Sequence, residues 1–406
     1  MKKSNSIISS IALLAGLTAC SSNDMPVQHS DQYDNITFTV ETQKVASRAN
    51  DYEEYNPEQH PLQMGVFGYQ ANSQTSDHTL LNDFNNQQVT FDKSQKTWGY
   101  GEPKKWEDYK ETRFFDFLAY MPYHENTDNT ENPASITIQR DAAKQTETYT
   151  LSVPYTPTTY ASTSTTTTAS PFLFDSKSAP IICALPEHRE VKGEDGNKKS
   201  FDHTVRFQFD QTLIGYKLLF KLDPKMGVIR QFHIKNVQIT GEIPISCTIS
   251  RKFTYNKTTQ VWTAEGIQWT GITLQKFTKD NPVIIPYKES TSSKTTSEST
   301  ESSATSSSLV VTSTDYAQWG GTFYTIPYAA FEPTIQVTYD VVMKAQDESI
   351  VTRKDVTSSI ILNKSNFGSF NSSTTATIYP IRILIQPRYL YVLTDQDAYT
   401  GHLLID

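Results

Sequence analysis

Phe114-Phe115-Asp116-Phe117-Leu118-Ala119-Tyr120-Met121, stopped by Pro122, is apolar on both faces. A short apolar run rich in aromatic residues and closed by proline reads as the central strand of a sheet. Outward from it, apolar residues alternate with period two and almost never repeat at helical spacing for three turns. Ile36, Phe38 and Val40 share one face of the stretch 36–40. Met64-Gly65-Val66-Phe67-Gly68-Tyr69 is a strand whose glycines mark close backbone approach. Segments 135–139 and 148–153 complete a first sandwich. A second series follows at 205–209, 216–222, 232–240, 252–255, 261–263, 283–285, 323–326, 335–343 and 378–385. The helical candidates are short, near 210–215. The fold class is all-β, built of β-sandwiches.

A chain of 406 residues is long enough for two or three domains. Gly193-Glu194-Asp195-Gly196-Asn197 is a turn signal within a charged segment. It sets the expected division: one sandwich domain over 35–195 and a second over 196–406. Aromatics at 12%, with 22 Tyr and 20 Phe, exclude a disordered chain. The net charge of −8 argues against a nucleic-acid partner, which needs a basic face. Two tracts, 156–170 and 290–308, are mostly Ser and Thr and bury too little apolar surface to order themselves. They read as exposed loop insertions, or as spacers and glycan-bearing loops.

Lys2 and Lys3 precede the apolar run Ile7-Ile8-Ser9-Ser10-Ile11-Ala12-Leu13-Leu14-Ala15-Gly16-Leu17. A charged start, a short apolar core and small residues at the exit read as a secretory signal over 1–19. Leu17-Thr18-Ala19-Cys20 resembles a bacterial lipobox, with Cys20 the lipidated first residue; an ordinary cleavable signal is the alternative. Loss of Lys2 and Lys3 with the leader takes the net charge from −8 to −10. Residues 20–34 then form a polar tether to the outer membrane. Export makes Cys183 and Cys247 a candidate disulfide, which would add roughly 4 kcal/mol on the chain-entropy model. Both sit in strand-like segments, so two buried free thiols are the favoured reading.

Catalytic spacing is missing. The eight histidines stand singly, with no i, i+4 pair for zinc, and no nucleophile elbow, Walker loop or dinucleotide fingerprint is present. Asp395-Gln396-Asp397 starts like a calcium loop but has Tyr399 where a carboxylate or amide belongs. Glu187-His188-Arg189-Glu190 reads as a charged loop in the linker. No cofactor is called for, and an enzyme ranks third among the readings. Tyr155, Tyr160, Trp262, Trp269 and Trp319 could form a sugar-stacking platform, although rings in a sandwich more often fill its core.

Taken in order along the chain, these segments resemble a Bacteroidales-type fimbrillin, a lipoprotein subunit of the type V pilus. The lipobox at Cys20 opens the resemblance, and Ser47-Arg48-Ala49 follows the first strand as the family's Arg-Ala does. The central strand ends in Ala119-Tyr120-Met121-Pro122, similar to the family's Ala-Tyr-x-Pro. Val205-Arg206-Phe207-Gln208-Phe209, with Leu213 and Leu218-Leu219-Phe220-Lys221, resembles the opening of its second domain. Tyr324-Thr325-Ile326-Pro327 resembles its late Ile-Pro segment. The chain departs from the pattern where Asp210 or Gln211 replaces a histidine, and in lacking the closing Gly-x-x-Tyr strand and terminal Trp.

The resemblance implies two transthyretin-like β-sandwich domains in tandem and a surface-delivered structural and adhesive subunit. It implies cleavage after Arg48, loss of the first strand, and filling of the bared groove by a strand from a neighbouring subunit. The donor candidate is the C-terminal run in which Tyr379, Ile381, Ile383 and Ile385 share a face. The partners so implied are other pilus subunits, the outer membrane through lipid, and a host protein or glycan ligand. The alternative is a monomeric lipid-anchored protein that binds glycans.

Overall fold

A computed structural model describes residues 35–43, 52–109, 114–126, 133–157, 170–190, 204–224, 230–287, 308–344, 349–363, 378–385, 389–394 and 401–404. In chain order the strands begin with β1 (Thr37–Gln43), β2 (Tyr52–Glu54), β3 (Gln63–Ala71), β4 (Thr79–Leu80), β5 (Gln87–Asp92) and β6 (Thr97–Gly99). Then come β7 (Phe114–Met121), β8 (Ser135–Asp141), β9 (Thr146–Tyr155), β10 (Ile181–Cys183), β11 (Glu187–Glu190) and β12 (Thr204–Gln211). They continue with β13 (Ile214–Leu222), β14 (Arg230–Asn256), β15 (Val261–Ala264), β16 (Gln268–Phe277), β17 (Val283–Ile284) and β18 (Leu309–Val311). The last are β19 (Ala317–Thr325), β20 (Thr334–Lys344), β21 (Ser349–Ile361), β22 (Ile378–Ile385), β23 (Tyr389–Thr394) and β24 (Gly401–Leu404).

The first sheet runs β2-β1-β12-β10-β7-β3-β5-β6, with β11 on β7 and β4 on β3. As its sequence predicts, β7 is central and every one of its side chains is buried. Facing this sheet are β8, β9, β15, β16 and the C-terminal half of β14, which pairs with β9 from Cys247↔Tyr155 to Asn256↔Thr146. Between the layers lies one apolar cluster, joining Phe38, Phe117 and Phe207 to Tyr149, Leu151 and Phe253. A second cluster joins Leu218, Phe220 and Ile383 of the sheet β19-β13-β22-β23-β24 to Ile234, Val337 and Ile360 on the N-terminal half of β14, β20 and β21.

The chain moves between these cores repeatedly, most abruptly at neighbouring residues. Leu213 belongs to the first and Ile214 to the second; Phe172 belongs to the second and Leu173 to the first. Along β14 the handover falls between Ile243 and Cys247. The cores therefore do not divide at 195/196. β12 comes after that point yet lies between β1 and β10, where it pairs the edge of each that β2 and β7 leave open. Residues 210–215 hold no helix: β12 and β13 meet there with only Thr212 and Leu213 between them.

The glycines of β3 behave as their strand context predicts. A Cβ on Gly65 would sit 2.4 Å from the Tyr120 ring, and one on Gly68 would sit 2.8 Å from Phe84 Cβ. Gly65→Ala should lower unfolding stability by about 1–3 kcal/mol through overpacking, read as a shifted urea midpoint with an unchanged slope.

Candidate functional site

β1 is a short strand held on both edges. It runs parallel to β12 from Thr37↔Thr204 to Thr42↔Phe209, and antiparallel to β2 from Glu41↔Glu54 to Gln43↔Tyr52. Ile36, Phe38, Val40 and Thr42 are buried while the residues between them are half exposed. Its start is fixed by the Ile36 amide donating to Lys104 O at 2.8 Å and by the Tyr100 hydroxyl donating to Ile36 O at 2.9 Å. Phe38 stacks on Phe207 at 5.9 Å and meets Phe84, Tyr100 and Phe117 edge-on at 5.7–6.1 Å. Removal of β1 would bare all four rings and leave β12 with an open edge. β2 would lose the strand with which it pairs.

Arg48 lies outside the described residues, in the eight-residue connection 44–51 between β1 and β2; Cys20 and the rest of 1–34 also lie outside them. The donor candidate is β22, an inner strand of its own sheet, parallel to β13 from Gly215↔Ile378 to Leu222↔Ile385 and antiparallel to β23. Ile381, Ile383 and Ile385 are buried in the second cluster and Tyr379 packs against it. Cys183 and Cys247 are buried free thiols, with burial pushing each pKa up to about 12.

The aromatic residues proposed as a sugar platform are dispersed. Tyr155 is buried in the first core and Trp319 in the second, where its Nε1 donates to Ile285 O at 2.9 Å. Trp262 and Trp269 pack against the first core and spend their Nε1 donors on Asp116 and on Thr212 O. Tyr160, the calcium-like run at 395–399 and nearly all of both Ser/Thr tracts lie outside the described residues.

A buried ionic network closes one part of the first core. His78, 1% exposed, sits between two fully buried carboxylates, with Nδ1 2.6 Å from Glu147 Oε2 and Nε2 2.8 Å from Asp116 Oδ2. Asp116 Oδ1 also accepts from His188 Nδ1 and Trp262 Nε1, each at 2.8 Å. Arg140 Nε donates to Glu147 Oε1 at 2.9 Å, and Lys257 reaches both Glu147 and Asp77. Glu187-His188-Arg189-Glu190, expected as a loop, is β11 on the edge of β7, because His188 pairs with Asp116 in both backbone register and side chain. Burial works against the charged imidazole, but the two carboxylates outweigh it and hold His78 at about 9. Burial likewise works against ionised Glu147, and the bonds from His78 and Arg140 outweigh it to bring its pKa to about 2. Nothing in the sequence pairs residue 78 with residues 116 and 147; only the folded sheets bring them together.

No protein-family model matches this sequence, and no curated protein does. The chain is similar to fimbrial proteins of Bacteroides. A fimbrial protein of Bacteroides vulgatus is 15% identical, with 90% of this chain and 99% of that one covered at a TM-score of 0.41. A protein of Bacteroides uniformis assigned to cell adhesion is 11% identical over 91% of this chain and 100% of its own, at 0.38. A fimbrial assembly protein of Parabacteroides distasonis is 8% identical over 91% and 99%, at 0.31. At such values the likeness decides neither fold nor role, which rest on this chain's own strands.

Two measurements bear on the site. Phe38→Ala should cost about 3–5 kcal/mol of unfolding free energy, since it empties a position lined by four rings. The ionic network gives a pH dependence of definite sign. The His78 pKa is raised above its ordinary 6.5, so its contribution is complete below 6.5 and is lost as pH rises through 9. The Glu147 pKa is depressed below its ordinary 4.5, so its contribution is lost as pH falls from 4.5 toward 2. Stability should therefore be greatest between about 4.5 and 6.5 and fall by on the order of 3 kcal/mol toward pH 9. His78→Gln should flatten the alkaline limb in thermal melts taken across that range.

Proposed function

We propose that this chain is a structural and adhesive subunit of a cell-surface pilus, assembled by exchange of strands between copies or between related subunits. The observation that carries the proposal is β1 itself. It lies at the start of the described chain, fills a slot lined by aromatic rings, and is joined to β2 by the connection that contains Arg48. One cut after Arg48 would separate β1 from the rest of the chain covalently, and non-covalent contacts alone, the ladders, the hydrogen bonds at Ile36 and the burial of four side chains, would then hold it. Its departure would bare an apolar groove and a strand edge, the kind of surface that proteins ordinarily cover because it recruits other strands. Delivery as a Cys20-anchored lipoprotein to the outer membrane keeps that surface covered until a protease acts at the cell surface.

The donor in this reading is the C-terminal run of another copy. β1 and β22 hold matching positions: each runs parallel to one of two consecutive strands, β1 beside β12 and β22 beside β13. Each turns alternate side chains inward, Ile36, Phe38, Val40 and Thr42 in one and Tyr379, Ile381, Ile383 and Ile385 in the other. A β22 from a second chain can therefore lie beside β12 with its apolar residues in register with the vacated positions. Its own place beside β13 is then open to repair by the same kind of exchange, as in domain swapping.

Protein sheared from the cell surface should begin at Ala49, as N-terminal sequencing would read it. Arg48→Ala protein should keep residues 20–48 and stay monomeric on size-exclusion chromatography. Normal polymers from the Arg48→Ala chain, still carrying residues 20–48, would refute strand exchange at this slot.

A further inference from the structure

A side chain bridges the far end of the slot. Tyr52 of β2 stands opposite Gln43 of β1, and Thr42, next to Gln43, stands opposite Phe209 of β12. Asp210 therefore lies level with Gln43 on the other flank. The Tyr52 hydroxyl donates to Asp210 Oδ1 at 2.6 Å, so this bond runs from β2 to β12 across β1. Asp210 is itself anchored to the opposite layer. Its Oδ2 lies 2.6 Å from Nη1 of Arg251 on β14, and that guanidinium also donates to Cys183 O and Glu265 O, each at 3.1 Å. Both members of this ion pair are mostly buried, at 11% and 18% side-chain exposure.

β2 has three residues, and the strand it pairs with is β1. Once β1 leaves, no ladder holds β2 at its place, two strand spacings or about 9.5 Å from β12. The Tyr52–Asp210 bond spans that gap. We propose that Tyr52, Asp210 and Arg251 form a strap that keeps the emptied slot at strand width. An incoming extended strand then finds a pairing edge on both sides, β12 and β2, instead of one. Because the strap crosses the slot at one end, the strand enters lengthwise beneath Tyr52 rather than docking sideways. The three are positioning residues, and the occupant is an extended peptide strand with alternate apolar side chains. This rests on the strand-exchange reading above.

The test compares wild type with Tyr52→Phe, which removes the hydroxyl and keeps the ring. In the full chain, hydrogen exchange at Glu41–Gln43 and Tyr52–Glu54 should quicken about tenfold in the variant, the scale of losing one charge-assisted hydrogen bond. Amides of β9 should not change, which shows that the variant is folded. Each chain is then cut after Arg48 with an arginine-specific protease, and a labelled peptide copying residues 35–43 is exchanged into the slot. Release of the peptide, followed by fluorescence anisotropy, should be about tenfold faster from the variant. Equal release from the two chains would overturn the strap while leaving strand exchange intact. A cut wild-type chain that takes up no peptide would overturn the strand-exchange reading, and the strap with it.

Discussion

The inner face of β12 must be covered by a strand whose alternate side chains are apolar, and much of the first sandwich depends on that constraint. Phe207, Phe117, Phe84 and Tyr100 each make a ring contact with Phe38. The hydrophobic contribution is non-directional, so any strand of the same alternation satisfies it. The backbone ladder adds direction and register without demanding a particular sequence. A slot built this way is specific for a pattern and tolerant of residue identity. Such a combination suits repeated assembly better than a lock made of buried polar contacts.

β14 gives the two cores a shared member. Its N-terminal half pairs with β20 and its C-terminal half with β9, so 27 residues of one strand belong to both sandwiches. The β12–β13 junction passes between the cores within two residues as well. The strands beside which an exchanged segment would arrive and from which it would leave, β12 and β13, are thus nearly continuous with each other. Whatever fills the place beside one is mechanically close to whatever fills the place beside the other. In the proposed pilus subunit, load would therefore run along strands rather than through a flexible linker.

The His78 network stands away from the slot and has a different character. It joins β7 of one layer to β9 of the other through paired charges, and to β15 through the Trp262 indole N–H. Breaking such a network strands a buried charge and costs several kcal/mol. The network therefore specifies how the layers align. The slot, which would have to open under the proposed strand exchange, is lined mainly by rings and hydroxyls with charged partners at its rim.

The all-β class, the central strand 114–121, the alternation of β1 and β22 and the tight packing at Gly65 were legible in the sequence, because each is a local pattern of period two or of residue size. The division of the cores was not, because β12 and the second half of β14 complete the first sandwich from beyond the turn signal at 193–197, and ladder partnership leaves no local mark. Glu187–Glu190 looked like a loop because its charges are answered by Asp116 and other distant residues. The Tyr52–Asp210 strap and the His78 network join residues 158, 38 and 69 positions apart. The sequence by itself determined which segments are strands and which of their faces are apolar. The tertiary structure alone decided which strands lie side by side, since pairing is set by the burial of whole sheets and not by any one strand's own residues.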